Sequence, residues 1–227
     1  MTKAVLFDID GTLIDSNDAH ARAWVAALAE AGHDVPFERV RPLIGMGGDR
    51  VLPLLVPGLT EDDEEGKAIA QRRLEIFKER ELPHLRPTRG ARALLEAVRA
   101  RGARVVMATS AKGAELKDLL AVGDFEPLID DASTSDDADS SKPAPDIVTA
   151  SLKKAGVDAH EAVMGGDTQY DVTAAHNAPV ACVALLCGGN PRETLREADA
   201  VYDDPAELTV RLDVPPFAWS IAASTAP

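Results

Sequence analysis

Two carboxylates follow directly on a short apolar run near the start of the chain. Asp8 and Asp10 stand between the run Ala4–Phe7 and Gly11. An apolar run that ends at a glycine turn predicts a buried strand, and a spacing of two lets both side chains point to one side of an extended backbone. Buried charges are costly unless they are paired or hold a metal, and open α/β sheets bind their ligands at the carboxyl ends of the strands. The pattern therefore indicates a cation site.

Hydroxyl side chains follow a second apolar run. Thr109 and Ser110 come directly after Val105–Ala108 and precede a predicted helix. Hydroxyl groups and the N–H groups of a helix N-terminus all donate hydrogen bonds to anionic oxygens, so phosphate binding is one interpretation. Capping of the helix is the other. The residues alone leave both open.

Lys142, Asp167 and Asp171 are further candidates. Lys142 precedes Pro143, which favours a loop or the first turn of a helix. Asp167 and Asp171 follow the apolar run Ala162–Met164 and a pair of glycines, and their spacing of four puts both on one edge of a helix that begins there. A lone lysine is usually a solvated surface charge, and helix capping accounts for Asp167 equally well.

Apolar runs alternate with segments of helical periodicity along most of the chain, which predicts a parallel, doubly wound sheet of the α/β class. The candidate strands are Ala4–Phe7, Val105–Ala108, Pro127–Ile129, Ala162–Met164, Val180–Leu186 and Ala200–Tyr202. The candidate helices are Ala91–Arg101, Ala114–Val122, Pro145–Ala155, Asp171–Asn177 and Arg192–Glu197. Glycines at helix ends support three of these helices, which precede Gly102, Gly123 and Gly156.

Residues 16–85 interrupt this alternation with helical patterns only. Asp15, Ser16 or Asn17 could cap a first helix, whose apolar face is Ala23, Trp24, Ala27, Leu28 and Ala31. Further helical patterns cover 37–43, 48–56 and 60–81, and no strand is predicted among them. We therefore expect a core domain of residues 1–15 and 86–213, an all-helical domain of residues 16–85 inserted after the first strand, and an irregular tail of residues 214–227.

Composition excludes several classes of partner. The chain has 227 residues, with 24 basic and 38 acidic side chains and a formal charge of −14, so it lacks the basic surface that nucleic acids require. No apolar stretch approaches the ~20 residues that span a bilayer, and no signal peptide is recognisable. Cys182 and Cys187 are the only cysteines and are expected to be structural thiols. A cytoplasmic monomer without a membrane or nucleic-acid partner is expected.

Four segments together resemble the signature motifs of the haloacid dehalogenase superfamily in its phosphatase form. They are Asp8-Ile9-Asp10-Gly11-Thr12, Thr109-Ser110, Ser141-Lys142-Pro143-Ala144-Pro145-Asp146 and Gly165-Gly166-Asp167-Thr168-Gln169-Tyr170-Asp171. They occur in the family's order, each at or just beyond the end of a predicted strand. The resemblance covers about residues 1–205, and the helical insertion is similar to a type-1 cap. It points to the phosphoglycolate phosphatase/β-phosphoglucomutase-like group.

The resemblance implies a role for each of these residues. Asp8 is similar to the nucleophile that forms an aspartyl-phosphate, and Asp10 to the general acid that protonates the leaving oxygen and then activates water. Thr109, Ser110 and Lys142 would bind phosphate. Mg²⁺ would be held by the Asp8 carboxylate, the Asp10 carbonyl and Asp167, with Asp171 binding directly or through water. In the cap, the candidates for substrate contact are His20, Gly45 and Arg50.

The function expected from these residues is hydrolysis of a phosphomonoester of a small metabolite. A phosphosugar mutase is the alternative, because Asp15, His20 and Trp24 also resemble β-phosphoglucomutase. Against the mutase, Gly166 stands where that enzyme has an acidic residue before Asp167. An inactive binding protein on the same fold is a third interpretation. The sequence does not identify the substrate.

Overall fold

A computed structural model describes residues 1–219 and contains one six-stranded sheet in which every strand is parallel to its neighbours. The strand order is β3-β2-β1-β4-β5-β6, so β1 lies near the middle with β2 and β4 on either side. This confirms the predicted α/β fold class. The strands are β1 (Ala4–Phe7), β2 (Arg104–Ala108), β3 (Asp131–Ser133), β4 (Ala162–Gly166), β5 (Ala181–Leu185) and β6 (Ala200–Tyr202).

Alternate residues of the central strands pack on opposite faces of the sheet. Val5 and Phe7 of β1 belong to one apolar cluster, whereas Ala4 and Leu6 belong to a second. All of β1 is buried. A strand buried on both faces reads as a continuous apolar run, which is why Ala4–Phe7 was recognisable from the sequence.

In the described part of the chain, five helices lie outside residues 16–85, and all but the first of them follow a strand. They are α5 (Ala91–Ala100), α6 (Gly113–Val122), α7 (Asp146–Ala155), α8 (Gln169–Asn177) and α9 (Pro205–Thr209). The prediction of a helix at Arg192–Glu197 is wrong, because the structure has only a short 3-10 turn, Arg192–Leu195, in this segment. Pro191 precedes this turn, and only Leu195 of its four residues is buried, so it lacks the apolar face that stabilises a longer helix.

The third strand lies later in the chain than predicted. Pro127–Ile129 was expected to form it, but Pro127 lies inside the 3-10 turn Glu126–Leu128. The strand is Asp131–Ser133, which pairs with Val106–Ala108 of β2 at the edge of the sheet. Proline has no N–H group to donate to a ladder, and an edge strand is held by backbone pairing more than by its apolar side chains. The apolar pattern therefore pointed to the wrong segment.

Helices occupy the chain between β1 and β2, as predicted. They are α1 (Asn17–Glu30), α2 (Phe37–Val40), α3 (Gly48–Leu55) and α4 (Glu64–Ile76), and α4 continues into a π-helical segment, Phe77–Glu81. No strand is assigned in residues 16–85, all of which the structure describes. Trp24, Leu52 and Phe77 from these helices join the apolar cluster that contains Phe7. The division into a core domain and a cap domain stays a prediction.

The end of the described chain packs against the start of the chain without regular structure. Residues 214–219 contain no helix or strand, but Phe217 is buried and the Thr2 N–H donates to the carbonyl of Ala218 at 2.5 Å. The rest of the predicted tail, residues 220–227, lies outside the described residues. Within residues 1–219, no helix is both long and apolar enough to cross a bilayer.

Candidate active site

The sheet topology brings the chemically distinctive residues to one edge. Asp8 follows β1, Thr109 follows β2 and Asp167 follows β4, and these three strands are adjacent. Lys142 reaches the same edge from the loop between β3 and α7. Parallel strands all end at one edge of their sheet, so residues up to 159 positions apart in the sequence meet there.

Asp8 has one carboxylate oxygen held and one without a protein partner. Its Oδ1 accepts a hydrogen bond from Nζ of Lys142 at 2.6 Å, and its Oδ2 has no partner among residues 1–219. Burial raises the pKa of Asp8 well above its ordinary value; Lys142 counteracts this, and the charges of Asp171 and Asp167 add to it. A carboxylate fixed through one oxygen in this way presents the other oxygen in a defined direction.

Lys142 is fully buried between two carboxylates. Its Nζ donates to Oδ1 of Asp8 and, at 2.7 Å, to Oδ1 of Asp171. Burial by itself would lower the pKa of Lys142, but the charges of Asp171 and Asp8 outweigh burial and raise it. Lys142 therefore stays charged in the site, where an ammonium group can neutralise an anionic ligand.

Asp171 uses both of its oxygens for protein contacts. While Oδ1 accepts from Lys142, Oδ2 accepts from the backbone N–H of Thr168 at 3.0 Å and from its hydroxyl at 2.6 Å. The Asp171 N–H bonds to the Thr168 hydroxyl in return, which completes a capping box at the start of α8. Asp171 thus fixes both the helix end and Lys142.

Asp167 is held by neutral donors that sequence reasoning missed. Its Oδ1 accepts from Thr12 at 3.1 Å, and its Oδ2 accepts from Asn17 at 2.7 Å and from Asn190 at 3.1 Å. Burial, followed by the charge of Asp171, raises the pKa of Asp167 to about 7, although the Asn17 and Thr12 hydrogen bonds lower it. The sequence signal that could have revealed the role of Asn17 is its polar side chain at the start of a helix whose buried face is otherwise mostly apolar.

The acidic residues together fit a small divalent cation. Carboxylate oxygens of Asp8, Asp167 and Asp171 lie within 4.8 Å of one another, and all three residues are buried. Lys142 is the one cation hydrogen-bonded to this cluster among the described residues, so it leaves negative charge uncompensated. An all-oxygen donor set with excess negative charge suits Mg²⁺. The donor set therefore agrees with the predicted metal.

Asp10 is paired with His20, which α1 supplies. Oδ1 of Asp10 lies 2.7 Å from Nε2 of His20 and accepts from the Ser16 hydroxyl at 2.5 Å, and its Oδ2 has no partner among residues 1–219. Burial would raise the pKa of Asp10, but the His20 charge and the hydrogen bonds of His20 and Ser16 bring it below its ordinary value. Phe77 stacks on the imidazole at a centroid distance of 4.1 Å and so fixes its plane.

A buried ion pair on the far side of His20 was not predicted. Glu115 of α6 is 2% exposed, and its Oε1 accepts from Nη1 of Arg73 at 2.5 Å and lies 3.8 Å from Nδ1 of His20. The Arg73 guanidinium also lies over the Trp24 ring, 5.5 Å from its centroid. Glu115 stands four residues before the buried Leu119, which places it on the apolar face of α6. A charged residue on an apolar helix face was the sequence signal that could have revealed this ion pair.

The predicted phosphate-binding residues lie at the end of β2. Thr109 is buried, and its Oγ1 accepts from the backbone N–H of Ala111 at 3.0 Å, so its hydroxyl proton remains available to a ligand. The hydroxyl of Ser110 lies 3.4 Å from the Gly45 carbonyl, a long contact that joins this loop to the helical insertion. Thr109 and Ser110 both line the cavity above Asp8 and Asp10.

The predicted cap residues differ in where they lie. His20 and Gly45 line the cavity above Asp8, whereas Arg50 does not. Arg50 donates from Nε to the carbonyl of Ser141 at 3.0 Å, beside Lys142. Gly45 has φ 108°, and a side chain there would meet Thr168 at 2.6 Å, so the loop approaches the start of α8 as closely as glycine allows.

Two connected cavities lie between the helical insertion and the sheet. The inner one, about 50 Å³, is bounded by Asp8, Asp10, His20 and Thr109. The outer one, about 560 Å³, extends from it between α4 and the loops that follow β2 and β3. Five of the described residues border both cavities, so the outer cavity adjoins the inner one: Gly47, Gly48, Arg73, Ser110 and Glu115.

Comparison with known proteins gives consistent results. The sequence profile of the haloacid dehalogenase-like hydrolases matches residues 5–185. A phosphoglycolate phosphatase from Pseudomonas savastanoi pv. phaseolicola is 32% identical over 219 residues, covering 92% of this chain and 79% of the relative. A hydrolase from Pseudomonas syringae has a similar structure, with a TM-score of 0.87 and 30% identity, covering 94% and 98% of the two chains. A putative β-phosphoglucomutase from Bacteroides vulgatus has a TM-score of 0.83 and 25% identity, covering 92% and 87%.

Proposed function

Because this chain belongs to the haloacid dehalogenase-like hydrolases and is a phosphatase of that family, we propose that it hydrolyses a phosphomonoester of a small metabolite through an aspartyl-phosphate. The observation that carries the proposal is the pair of oxygens left without protein partners, Oδ2 of Asp8 and Oδ2 of Asp10. Both residues border the inner cavity. Phosphoryl transfer needs a nucleophile and a proton donor for the leaving oxygen, and these two carboxyl groups supply them.

In the first step, Oδ2 of Asp8 attacks phosphorus and the bond from phosphorus to the ester oxygen breaks. The leaving oxygen takes a proton from Asp10, which receives it through the hydrogen bond from His20. Thr109 and Lys142 donate hydrogen bonds to the phosphoryl oxygens, where negative charge accumulates. The products of this step are the free alcohol and the aspartyl-phosphate.

In the second step, water attacks phosphorus and the bond to Asp8 breaks. Asp10, whose lowered pKa keeps it ionised between the two steps, accepts the proton of the attacking water and passes it to His20, which regains the proton that it gave up in the first step. His20 and Ser16 hold the carboxylate in one orientation during both steps. Inorganic phosphate leaves and Asp8 is regenerated.

Magnesium is the proposed cofactor. The Asp8 carboxylate, the Asp10 carbonyl and Asp167 would hold it, and Asp171, which is also bonded to Lys142, would bind directly or through water. When bound, Mg²⁺ offsets the charge of the phosphoryl group and of the carboxylates that face it. The chain's own contribution is to hold Asp167 with Thr12, Asn17 and Asn190.

Residues 16–85 are proposed to form a cap that closes over the phosphomonoester and excludes bulk water. His20 and Gly45 border the reaction cavity and are the proposed cap contacts to the substrate. Arg50 is proposed to hold the cap against the Lys142 loop through its bond to Ser141. Several relatives are phosphoglycolate phosphatases, which is consistent with a small substrate for this chain.

The test is phosphate release from a panel of phosphorylated metabolites, with Mg²⁺ and with EDTA, by the wild-type protein and by Asp8→Asn. We expect release that requires Mg²⁺ and is lost in Asp8→Asn, whose circular dichroism spectrum stays that of the folded protein. Asp34→Asn changes an exposed aspartate that borders neither cavity and serves as the matched control. Turnover retained by Asp8→Asn would refute the nucleophile assignment, and conversion of β-glucose 1-phosphate to glucose 6-phosphate with little free phosphate would show a mutase instead.

A further inference from the structure

The ion pair of Glu115 and Arg73 lies where the leaving group of a substrate must pass. Both side chains border the inner cavity above Asp8 and Asp10, and both also border the outer cavity that continues from it. In the proposed reaction the phosphoryl group lies at the inner end, beside Asp8 and Thr109. The remainder of a substrate would then extend past Glu115 and Arg73.

This pair offers hydrogen-bonding atoms that the protein leaves unused. Nε of Arg73 is buried and has no partner, although Nη1 of the same guanidinium is bonded to Oε1 of Glu115. Oε2 of Glu115 likewise has no hydrogen-bond partner among residues 1–219. The pair thus leaves one acceptor and one donor without protein partners. A hydroxyl group satisfies both, since it donates to a carboxylate and accepts from a guanidinium.

A leaving group that carries a carboxylate cannot bind this ion pair in the way that a hydroxyl group can. Nε of Arg73 is not bonded to Glu115, so a carboxylate could approach it only beside the Glu115 carboxylate, whose negative charge repels an anion. Displacing Glu115, which is 2% exposed, would instead leave a buried charge without its partner, which is strongly unfavourable. The guanidinium cannot move away easily either, because it packs over Trp24. The intact pair is neutral overall and gives an incoming anion no net attraction.

The outer cavity adds to this discrimination. Lys67 and Lys112 are the other basic residues that line it, whereas four further carboxylates do so: Asp49, Glu61, Asp136 and Asp139. Like charges at close range disfavour binding of an anion. A leaving group that carries hydroxyl groups is compatible with such a lining, because hydroxyl groups bond to either charge.

We propose that Glu115, held by Arg73, is a specificity-determining residue that selects phosphomonoesters with hydroxylated, uncharged leaving groups and rejects those whose leaving group carries a carboxylate. This inference rests on the proposed phosphatase function and deepens it by naming the substrate class, which is the phosphates of polyols and sugars. It also separates this chain from the relatives named phosphoglycolate phosphatase, whose substrate has an acidic leaving group.

The test compares substrates that differ only in a terminal alcohol or carboxylate. Two such pairs are 2-hydroxyethyl phosphate with 2-phosphoglycolate, and glycerol 1-phosphate with 3-phosphoglycerate. The quantity is the ratio of kcat/KM for the alcohol to kcat/KM for the acid, measured with Mg²⁺ for the wild-type protein, Glu115→Gln and Glu126→Gln. Glu126 is an exposed glutamate that borders neither cavity, so it controls for the loss of a negative charge alone. Hydrolysis of p-nitrophenyl phosphate reports the basal chemistry.

We expect the wild-type protein to favour the alcohol of each pair by about ten-fold or more, which corresponds to ~1.4 kcal/mol. Glu115→Gln should shift the ratio about ten-fold toward the acid, and Glu126→Gln should leave it unchanged. A purely structural defect in Glu115→Gln would lower both members equally, and an unchanged ratio would therefore overturn the proposal. A wild-type preference for the acids, or hydrolysis of p-nitrophenyl phosphate with neither alcohol accepted, would also overturn it. No hydrolysis of any of these esters would instead refute the phosphatase proposal itself.

Discussion

Replacing Asp167 by asparagine should stabilise the metal-free protein while removing its affinity for Mg²⁺. Asp167 lies in a cluster of three buried carboxylates to which one lysine is bonded. Asparagine has the same shape without the charge, and its amide fits the existing donors. The amide oxygen can accept from Asn17 and Asn190, while the amide nitrogen donates to the hydroxyl of Thr12. The substitution therefore removes charge without leaving a cavity.

The size of the effect follows from the pKa of Asp167, which burial and then the charge of Asp171 raise to about 7 from an ordinary 3.8. One pKa unit corresponds to ~1.4 kcal/mol, so ionised Asp167 costs the metal-free fold ~4 kcal/mol at most. Because the folded state binds this proton more tightly than the unfolded chain, stability falls as pH rises from about 4 to about 7. Below about pH 4 both states are protonated and the cost disappears. Asp167 titrates together with the neighbouring carboxylates, so part of this cost belongs to them. We therefore take ~2 kcal/mol as the lower bound of the cost of ionised Asp167.

Urea unfolding in EDTA, followed by circular dichroism between pH 4 and pH 8, measures this cost. We expect the free energy of unfolding of Asp167→Asn to exceed that of the wild-type protein by ~2–4 kcal/mol at pH 8 and to match it near pH 4. Excess Mg²⁺ should raise the melting temperature of the wild-type protein and leave that of Asp167→Asn unchanged. Asp34→Asn, at an exposed position, should follow the wild-type protein throughout. Equal or lower stability of Asp167→Asn at pH 8 in EDTA would refute the reasoning.

Three further substitutions test separate parts of the site. Asp10→Asn should lower kcat by about three orders of magnitude, because the general acid is lost. It should change the Mg²⁺ dissociation constant, measured by calorimetry, by less than about three-fold, because only the Asp10 carbonyl is proposed to face the metal. A defect mainly in metal binding would reverse the assignment. Lys142→Met leaves two buried carboxylates without their cation, so it should lower the free energy of unfolding by ~3–5 kcal/mol at pH 8. An unchanged midpoint of urea unfolding would contradict this expectation. Asn17→Ala should weaken Mg²⁺ binding about ten-fold, since Asp167 loses a donor, and unaltered affinity would exclude that role.

The motif residues were predictable because each follows an apolar strand. Strands buried on both faces produce the continuous apolar runs that located β1, β2, β4 and β5, and a parallel sheet then requires their ends to lie together. The structure does bring Asp8, Thr109, Lys142 and Asp167 to one edge. β3 escaped this reasoning, because an edge strand of Asp131, Ala132 and Ser133 carries little apolar signal.

The supporting residues were not predictable, because their partners are remote in the sequence. Asn17 and Asp167 are 150 positions apart, and Arg73 and Glu115 are 42 positions apart. Local patterns assign an asparagine at a helix start to capping, yet Nδ2 of Asn17 donates to Asp167 and its Oδ1 accepts no hydrogen bond from the described residues. Such pairings depend on how the helical insertion docks on the sheet, and no periodicity in the sequence encodes that docking.

The two carboxyl groups of the first motif are controlled by different parts of the molecule. The partner of Asp8 is Lys142, which lies in the loop between β3 and α7 and is also bonded to Asp171 of α8. The partners of Asp10 are Ser16 and His20, at the entrance to the helical insertion and on its first helix. Since those partners hold the pKa of Asp10 low, movement of the insertion away from the sheet would change the protonation of Asp10 while the Asp8–Lys142 contact stayed intact. In the proposed cap mechanism, proton transfer would therefore depend on the closed arrangement, whereas the nucleophile would be in place before closure.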